Sequence, residues 1–546
     1  MARKIIPLKR EKHEPKLSRA EQSQRANRTI LRRTLVLMVL FGVVVFIPLI
    51  VTLYNLMIRD HDYYEAQAID NQTRYTSLSA SRGQIFDRNM NVLASSKTVE
   101  TVFIDPNEIA QEMTKPENSN LLDHIARGLS EILDVSTDFV YKQAEDKAFR
   151  YKVIRRKIPE ELADEVRSFV SENEIKGVYL ETDAQRYYPY SSLAAQVMGF
   201  VSTDNVGSEG LEAYYDSYLQ GTAGKVVTTK GNYGSEMLYT YEKYYDASDG
   251  DSLVTTIDQT VQHYLEKNLE TAIEKYDIIN GAFGIVMDVN TGEIIALANE
   301  PTYDPNDRST VLFERVRNRV LTDQFEPGST MKPFAIAKAL DMGLVDPLTT
   351  IQTSPGKLTI GDRTIGDTHD YGLLTVAEVV AKSSNIGTAK IALEISPQTL
   401  YETYSELGFG NAPKIGFPGA TSGRLRPGKT WRPVEQATIS YGHGVTVSLM
   451  QLVKAYTALA RNGDVIDLTL FKRMPGETAA GTQVFKPETA RRMRAMMMAT
   501  VKRGGTASNV NVAGYSVAGK TGTANKVKNG QYTRDVVASF VGIVPA

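Results

Sequence analysis

An uncharged run of 25 residues, TLVLMVLFGVVVFIPLIVTLYNLMI, separates Arg33 from Arg59. A helix rising ~1.5 Å per residue over that length crosses a ~30 Å hydrocarbon core, and Pro48 can kink it without stopping it. Ahead of the run, residues 1–33 hold eleven Lys or Arg against three Glu. The positive-inside tendency therefore predicts a cytoplasmic basic tail over 1–33, a transmembrane helix over 34–58, and the remainder of the chain on the far side of the membrane. A cleaved signal peptide would have a shorter apolar core and a small-residue cleavage site; here the run ends in Arg59-Asp60-His61-Asp62.

Beyond the membrane the pattern divides again. Residues 59–80 are polar with spaced apolar positions and suit a helix or an extended connector. In SRGQIFDRNMNVLASS, Gly83 and the Asp-Arg-Asn run flank short β-like pieces, whereas LLDHIARGLSEIL and PEELADEVRSFV repeat apolar residues every three or four positions and predict helices. Residues 186–225 are rich in Tyr and Gly and read as a packed, turn-rich module. Gly250 among aspartates in DASDGDSLVTTID marks a boundary. After it, QTVQHYLEKNLETAIEKY places Val261, Leu265, Leu269 and Ile273 on one helical stripe. GAFGIVMDV and EIIALANE, joined by Asn290-Thr291-Gly292, read as a hairpin. Late β segments near GYSVAGKTGTA and VVASFVGIV then predict an α+β fold whose sheet draws strands from both ends of the domain.

Composition removes several chemistries. The chain of 546 residues is long enough for two to four domains and carries a formal charge of -2, without the basic footprint of a nucleic-acid binder. It has no cysteine, and its six histidines are scattered, so disulfides, a thiol nucleophile and a histidine-based zinc centre are not expected. Hydroxyls, amines, carboxylates and amides remain.

Three short motifs concentrate those groups. In FEPGSTMKPF, Ser329 follows a glycine at a predicted helix start, an ordinary N-cap context. Lys332, three residues on, shares a face with Ser329 if both lie in the first helical turn. A lysine held neutral by burial or by a nearby cation can act as base towards a serine, and a helix N-terminus suits a developing oxyanion. Ser383 and Asn385 follow a helix that opens with a Thr375/Glu378 capping box, so that a hydroxyl and an amide can enter a cleft. Lys520-Thr521-Gly522-Thr523 lies in a β-compatible run; Gly522 permits close approach of a ligand backbone, and Lys520 beside hydroxyls suits a carboxylate. Individually these read as a cap, a polar loop and a protected edge strand; together they form the Ser-x-x-Lys, Ser-x-Asn, Lys-Thr-Gly set of penicillin-binding proteins and class A β-lactamases.

The chain resembles the class B penicillin-binding proteins, monofunctional peptidoglycan D,D-transpeptidases, through SRGQIFDRN, YYPYSSLAAQVMGFV, YDPN, EPGSTMKP, KSSN, SYGHGVTVSLMQLVKAYTALARNG and AGKTGTA. KSSNIGTAKIAL, LGFG and SGRL look most like the cell-division type; a sporulation-specific relative would share much of this. The resemblance implies a non-catalytic pedestal or dimerisation domain over 59–245 and a serine β-lactamase-like transpeptidase domain over 246–546, an antiparallel sheet packed with helices. It implies Ser329 as nucleophile on D-Ala-D-Ala stem peptides, Lys332 as base, Ser383 as proton carrier, Asn385 as peptide holder, and Lys520, Thr521 and Thr523 as carboxylate binders on a strand opened by Gly522. Backbone N–H groups of Ser329 and Thr523 would form the oxyanion hole. No cofactor or metal is implied; β-lactams would acylate the same serine, and a glycosyltransferase and other divisome membrane proteins are the expected partners. Two other readings use the same motifs: a β-lactam sensor or scaffold without turnover, and a D,D-carboxypeptidase. Against the family pattern the chain stops early, at FVGIVPA, which predicts a domain lacking its last strand and helix.

Overall fold

The computed structural model describes residues 19–64, 73–78, 80–229, 243–474, 477, 479–510, 512–528 and 530–546. They group into two compact units, one formed by the N-terminal helix with the segments up to Leu78 and from Gly224 to Asp246, the other by Ser79–Ala223 and Ala247–Ala546.

In the first unit an α-helix spans Arg19–Tyr54, with Pro48 inside it, and continues into a π-turn over Asn55–Arg59. Among the described residues, this apolar segment is the one long and apolar enough to cross a membrane. Its large side chains stand exposed, Phe41 at 72% and Met38 at 69%, as expected of a surface whose solvent is lipid. Of the predicted connector over 59–80, residues 65–72 and 79 lie outside the described residues, and Thr73–Leu78 forms a strand. That strand pairs with Gly224–Thr229, which in turn pairs with Lys243–Tyr245.

The second unit begins with a sheet built on the long strand Val92–Ile104. It pairs antiparallel with Lys152–Ile158 and along its length with Val178–Tyr187, in the register Ser95↔Tyr187 to Ile104↔Val178. Helices Leu121–Leu133 and Glu160–Glu172, both predicted from their apolar spacing, cover it with Ile125, Leu129, Ala163 and Val166 fully buried. Below the sheet, Glu212 receives Arg82 Nε at 2.7 Å and Arg186 Nε at 2.6 Å with its own side chain fully enclosed. Removing that carboxylate would leave the buried Arg186 without its charge partner and Arg82 with Asp216 alone, and breaking such a buried pair costs about 3–5 kcal/mol.

The helix Gln259–Tyr276 starts at Asp258, whose carboxylate accepts the N–H groups of Thr260 and Val261. Leu265 and Leu269 of its stripe face Gly284, where a Cβ would lie 2.9 Å from Leu265 Cδ1. Gln262, absent from the predicted stripe, is buried on the same side and pairs with Leu297 through both backbone groups. The predicted hairpin is present as Ala282–Met287 with Ile294–Glu300. A second hairpin pairs Ala518–Lys528 with Gln531–Ile543. Each is hydrogen-bonded within itself, and among the described residues the two do not share a ladder. They line a common core instead, Phe283 from one and Ala518, Val537, Val541 and Ile543 from the other packing on the same apolar cluster. At its centre the helix Lys332–Asp341 is enclosed on nearly all sides, with Phe334 in edge contact with Tyr456 and Phe409 at 4.9 and 5.7 Å. An enclosed first turn places whatever charge it carries in a low-dielectric setting.

Candidate active site

Gly328–Met331 form a single 3-10 turn, and the α-helix proper starts at Lys332. Ser329 therefore does not cap the helix as its context suggests. Pro327 precedes the turn, no side chain caps it, and Ser329 Oγ holds no hydrogen bond among the described residues. The turn is fixed from behind by Tyr456, whose hydroxyl donates to Thr330 O at 2.7 Å. In front of it runs the Ala518–Lys528 strand, so near that a Cβ on Gly522 would lie 2.9 Å from Pro327 O and 2.3 Å from Ser539 Oγ. Gly328, at φ +56°, leaves similarly little room: a Cβ there would meet Thr523 O at 2.7 Å. Backbone packs on backbone, which brings the Ser329 and Thr523 main chains to one place.

The second motif forms a corner between two helices. Thr375 and Glu378 make the expected capping box at the start of Val376–Lys382. Ser383 ends that helix in the left-handed region at φ 61° and ψ 42°, and Ser384 caps the next helix, Asn385–Leu393, by accepting from Gly387 N at 2.9 Å. A non-glycine residue in that region costs on the order of 1–2 kcal/mol. The return is geometric: Ser383 points into the space between the turn and the strand. There Lys332 Nζ donates to Ser383 O at 2.5 Å and to Ser383 Oγ at 3.1 Å, while Lys520 Nζ donates to the same Oγ at 2.9 Å and to Thr521 O at 3.0 Å.

Both lysines are almost entirely enclosed, Lys332 at 1% and Lys520 at 0% exposure. Burial holds Lys332 well below the ordinary lysine range, the charge of Lys520 lowers it further, and the Asp367 carboxylate opposes both. Burial brings Lys520 down to about 7. A neutral amine has two N–H groups and one lone pair; with both N–H groups of Lys332 satisfied by Ser383, its lone pair is free to take a proton. Ser383 Oγ, accepting from two amines, keeps its own proton available to a third partner.

Asn385 lies at the first position of its helix rather than at the far end of the preceding one. Its Nδ2 donates to Gly366 O at 2.9 Å, which fixes the amide at the cleft edge and leaves Oδ1 and one N–H uncommitted. Asp367 was not singled out by the sequence, yet it organises this corner. Its carboxylate accepts from Ser384 Oγ and Asn385 N, both at 2.5 Å, and from Ile386 N at 3.1 Å, where a helix N-terminus favours negative charge. Thr521 donates to Thr506 Oγ1 at 2.9 Å, a second hydroxyl the motifs did not include, and Thr523 is exposed. Glu326, inside FEPGST, carries no local signal of its role; it faces His443 Nδ1 at 3.3 Å and accepts from Tyr532. Among the described residues no group of three His, Asp or Glu could hold a metal ion.

Two family models match the chain: penicillin-binding protein dimerisation domain over residues 77–255 and penicillin binding protein transpeptidase domain over residues 282–546. A "Probable peptidoglycan D,D-transpeptidase PenA" of Neisseria gonorrhoeae is 38% identical over 488 residues, 89% of this chain and 81% of the relative. The peptidoglycan D,D-transpeptidase FtsI of Escherichia coli (strain K12) is 32% identical over 476 residues, 87% and 78% of the two chains. The apo TP domain of Burkholderia pseudomallei penicillin-binding protein 3 is 44% identical and superposes with a TM-score of 0.50, covering 53% of this chain and 83% of that one. With the serine turn, the two lysines and the Lys-Thr-Gly strand converging on one cleft, and with relatives of this identity along most of its length, the chain belongs to the penicillin-binding protein family of peptidoglycan D,D-transpeptidases.

Proposed function

We propose that this chain cross-links peptidoglycan stem peptides through an acyl-enzyme on Ser329, in septal wall synthesis, and that β-lactams acylate the same hydroxyl. The observation carrying this reading is the meeting of Lys332 and Lys520 on Ser383 Oγ beside an uncommitted Ser329. Lys332 Nζ, swinging from Ser383, takes the Ser329 proton as Oγ bonds to the carbonyl carbon of the penultimate D-alanine. The oxyanion is received by the N–H groups of Ser329 and Thr523. The C–N bond then breaks, its electron pair staying on nitrogen, and the Ser383 proton passes to the leaving D-alanine while Lys332 returns one to Ser383. Asn385 holds the donor peptide, and Lys520, Thr521 and Thr523 its carboxylate, on a strand that Gly522 allows to lie against the serine turn. An amine of a neighbouring stem attacks the ester, forms the amide and restores Ser329.

The septal assignment is supported by the kinship with FtsI and by the KSSNIGTAKIAL and LGFG segments. We further propose a single-pass anchor with residues 1–33 cytoplasmic, a non-catalytic pedestal over 59–245, a transpeptidase domain over 246–546, and a glycosyltransferase with other divisome membrane proteins as partners. The full chain, with a glycosyltransferase and lipid-linked precursor, should form cross-linked dimers that Ser329→Ala does not. Equal cross-linking by that variant would overturn the reading; D-alanine release without cross-links would mark a carboxypeptidase. A fluorescent fusion concentrated at midcell supports the septal role, and a side-wall pattern refutes it.

A further inference from the structure

Glu326 lies three residues before Ser329, and its side chain is mostly enclosed, at 10% exposure. It takes part in none of the steps above, yet it joins three separate segments. Oε1 accepts from Gly444 N at 2.8 Å and from Tyr532 OH at 3.1 Å. Oε2 accepts from Tyr532 OH at 3.1 Å and faces His443 Nδ1 at 3.3 Å. The rings of Tyr441 and Tyr532 flank His443 at 5.4 and 5.9 Å.

Each segment carries part of the machinery. Glu326 itself leads into the serine turn. The Gly442–Gly444 loop holds that turn a second time, Gly442 O accepting from Gly328 N at 3.1 Å. Tyr532 stands on the return strand opposite Val527, beyond the irregularity between Asn525 and Val527, near the closed end of the hairpin whose other strand carries Thr523. Towards the open end, Lys520 already ties the hairpin to Ser383. The hairpin is thus pinned at two points along its length, and the second is a carboxylate covalently continuous with the nucleophile's turn.

We infer that Glu326 is a positioning residue for acylation, its carboxylate pinning the closed end of the 518–543 hairpin and the Gly442–Gly444 loop to the serine turn so that the Ser329 and Thr523 N–H groups keep the spacing an oxyanion requires. The inference rests on the proposed nucleophile and oxyanion hole. Donors to an oxyanion act within 2.7–3.1 Å, so a displacement of about 1 Å is enough to cost ~100-fold in rate. A hinge freed at Tyr532 leaves Lys520 and Thr521, two of the three proposed carboxylate binders, tied to Ser383 and Thr506 at the open end, so that the larger loss falls on the bond-making step.

The experiment is the acylation of the full-length protein by a fluorescent penicillin, resolved into affinity and limiting rate. Glu326→Ala and Tyr532→Phe should each lower the limiting rate roughly 10- to 100-fold with affinity little changed. The double variant should be no slower than Glu326→Ala alone. Glu326→Gln, whose amide oxygen can still accept from Gly444 N and Tyr532, should recover part of the loss. A limiting rate within two-fold of the parent, a loss confined to affinity, or effects that multiply in the double variant would each overturn the inference. Tyr532 is 54% exposed and Tyr532→Phe removes one oxygen and no packing, so this variant reports even if Glu326→Ala does not fold. Ser329→Ala runs alongside: labelling that survives in it sinks the proposed site, whereas its loss beside unimpaired Glu326 and Tyr532 variants sinks only the positioning role.

Discussion

Lys520 Nζ lies 2.9 Å from Ser383 Oγ across a sequence separation of 137 residues, on the same hydroxyl that Lys332 Nζ reaches at 3.1 Å. Two amines on one oxygen cannot both stay protonated in an enclosed site without strong mutual repulsion, so they are expected to divide the labour, one neutral and one charged.

That division sets the pH dependence of acylation. The proposed chemistry needs Lys332 neutral and Lys520 charged. As pH rises, kcat/KM should climb while Lys332 loses its proton and fall as Lys520 loses its own, which burial places at about 7. In Lys520→Arg, whose guanidinium stays charged throughout, the alkaline limb should move to higher pH. An alkaline limb that stays put in this variant would take Lys520 out of its assigned role.

Stability should move in a related way. Both lysines have folded values below the ordinary 10.5, so between the folded and unfolded values the unfolded chain binds more protons and the folded protein gains stability with rising pH. Each lysine adds up to about 1.4 kcal/mol per pH unit within that window. Urea melts of the parent should therefore strengthen from pH 7 to 9. Lys332→Met should melt later than the parent at pH 7, show a shallower slope, and take up no penicillin.

Asp367 supplies both a cap and a counter-charge. Asp367→Asn removes the anion from the start of Asn385–Leu393, a loss of about 1–2 kcal/mol in a urea melt. The same change removes the negative charge that opposes the depression of Lys332, so the acid limb of the acylation profile should shift to lower pH. A limb that moves the other way, or does not move, would show that Asp367 does not set the charge state of Lys332.

Gly522→Ala tests the contact between strand and turn. Its methyl would fall 2.3 Å from Ser539 Oγ and 2.9 Å from Pro327 O, so the strand must shift. Acylation should slow on the order of 100-fold with the circular dichroism spectrum unchanged. Adding Ser539→Gly removes the nearer obstacle and should restore only part of the rate, since the Pro327 carbonyl cannot move aside.

Features set by neighbouring residues were legible in the sequence. The stripe from Val261 to Ile273, the capping box of Thr375 with Glu378 and the turn at Asn290-Thr291-Gly292 all stand where their local chemistry places them. Of the motif residues, Lys332 and Lys520 meet on Ser383, and the turn that carries Ser329 packs against the strand of Gly522 and Thr523. What the sequence concealed depends on partners far along the chain. Asp367 acts through a helix start that follows it by many residues, and nothing in GDTHD distinguishes it from a surface aspartate. Ser329 reads locally as a cap because Gly-Ser before an apolar run usually is one; the 3-10 turn arises from the strand, Gly442 and Tyr456 pressing on it. Glu326 lies inside the FEPGST motif, but its partners Gly444 and Tyr532 come from two other segments.

The left-handed corner at Ser383 also limits how this site can change by mutation. Threonine offers the same hydroxyl, but its branched Cβ fits poorly at φ 61°. Glycine and asparagine accept that backbone and bring no hydroxyl proton to relay. Each of these three exchanges therefore forfeits either the fit of the corner or the hydroxyl proton. Under selection by β-lactams, Ser383 is thus held in place by conformation as much as by chemistry.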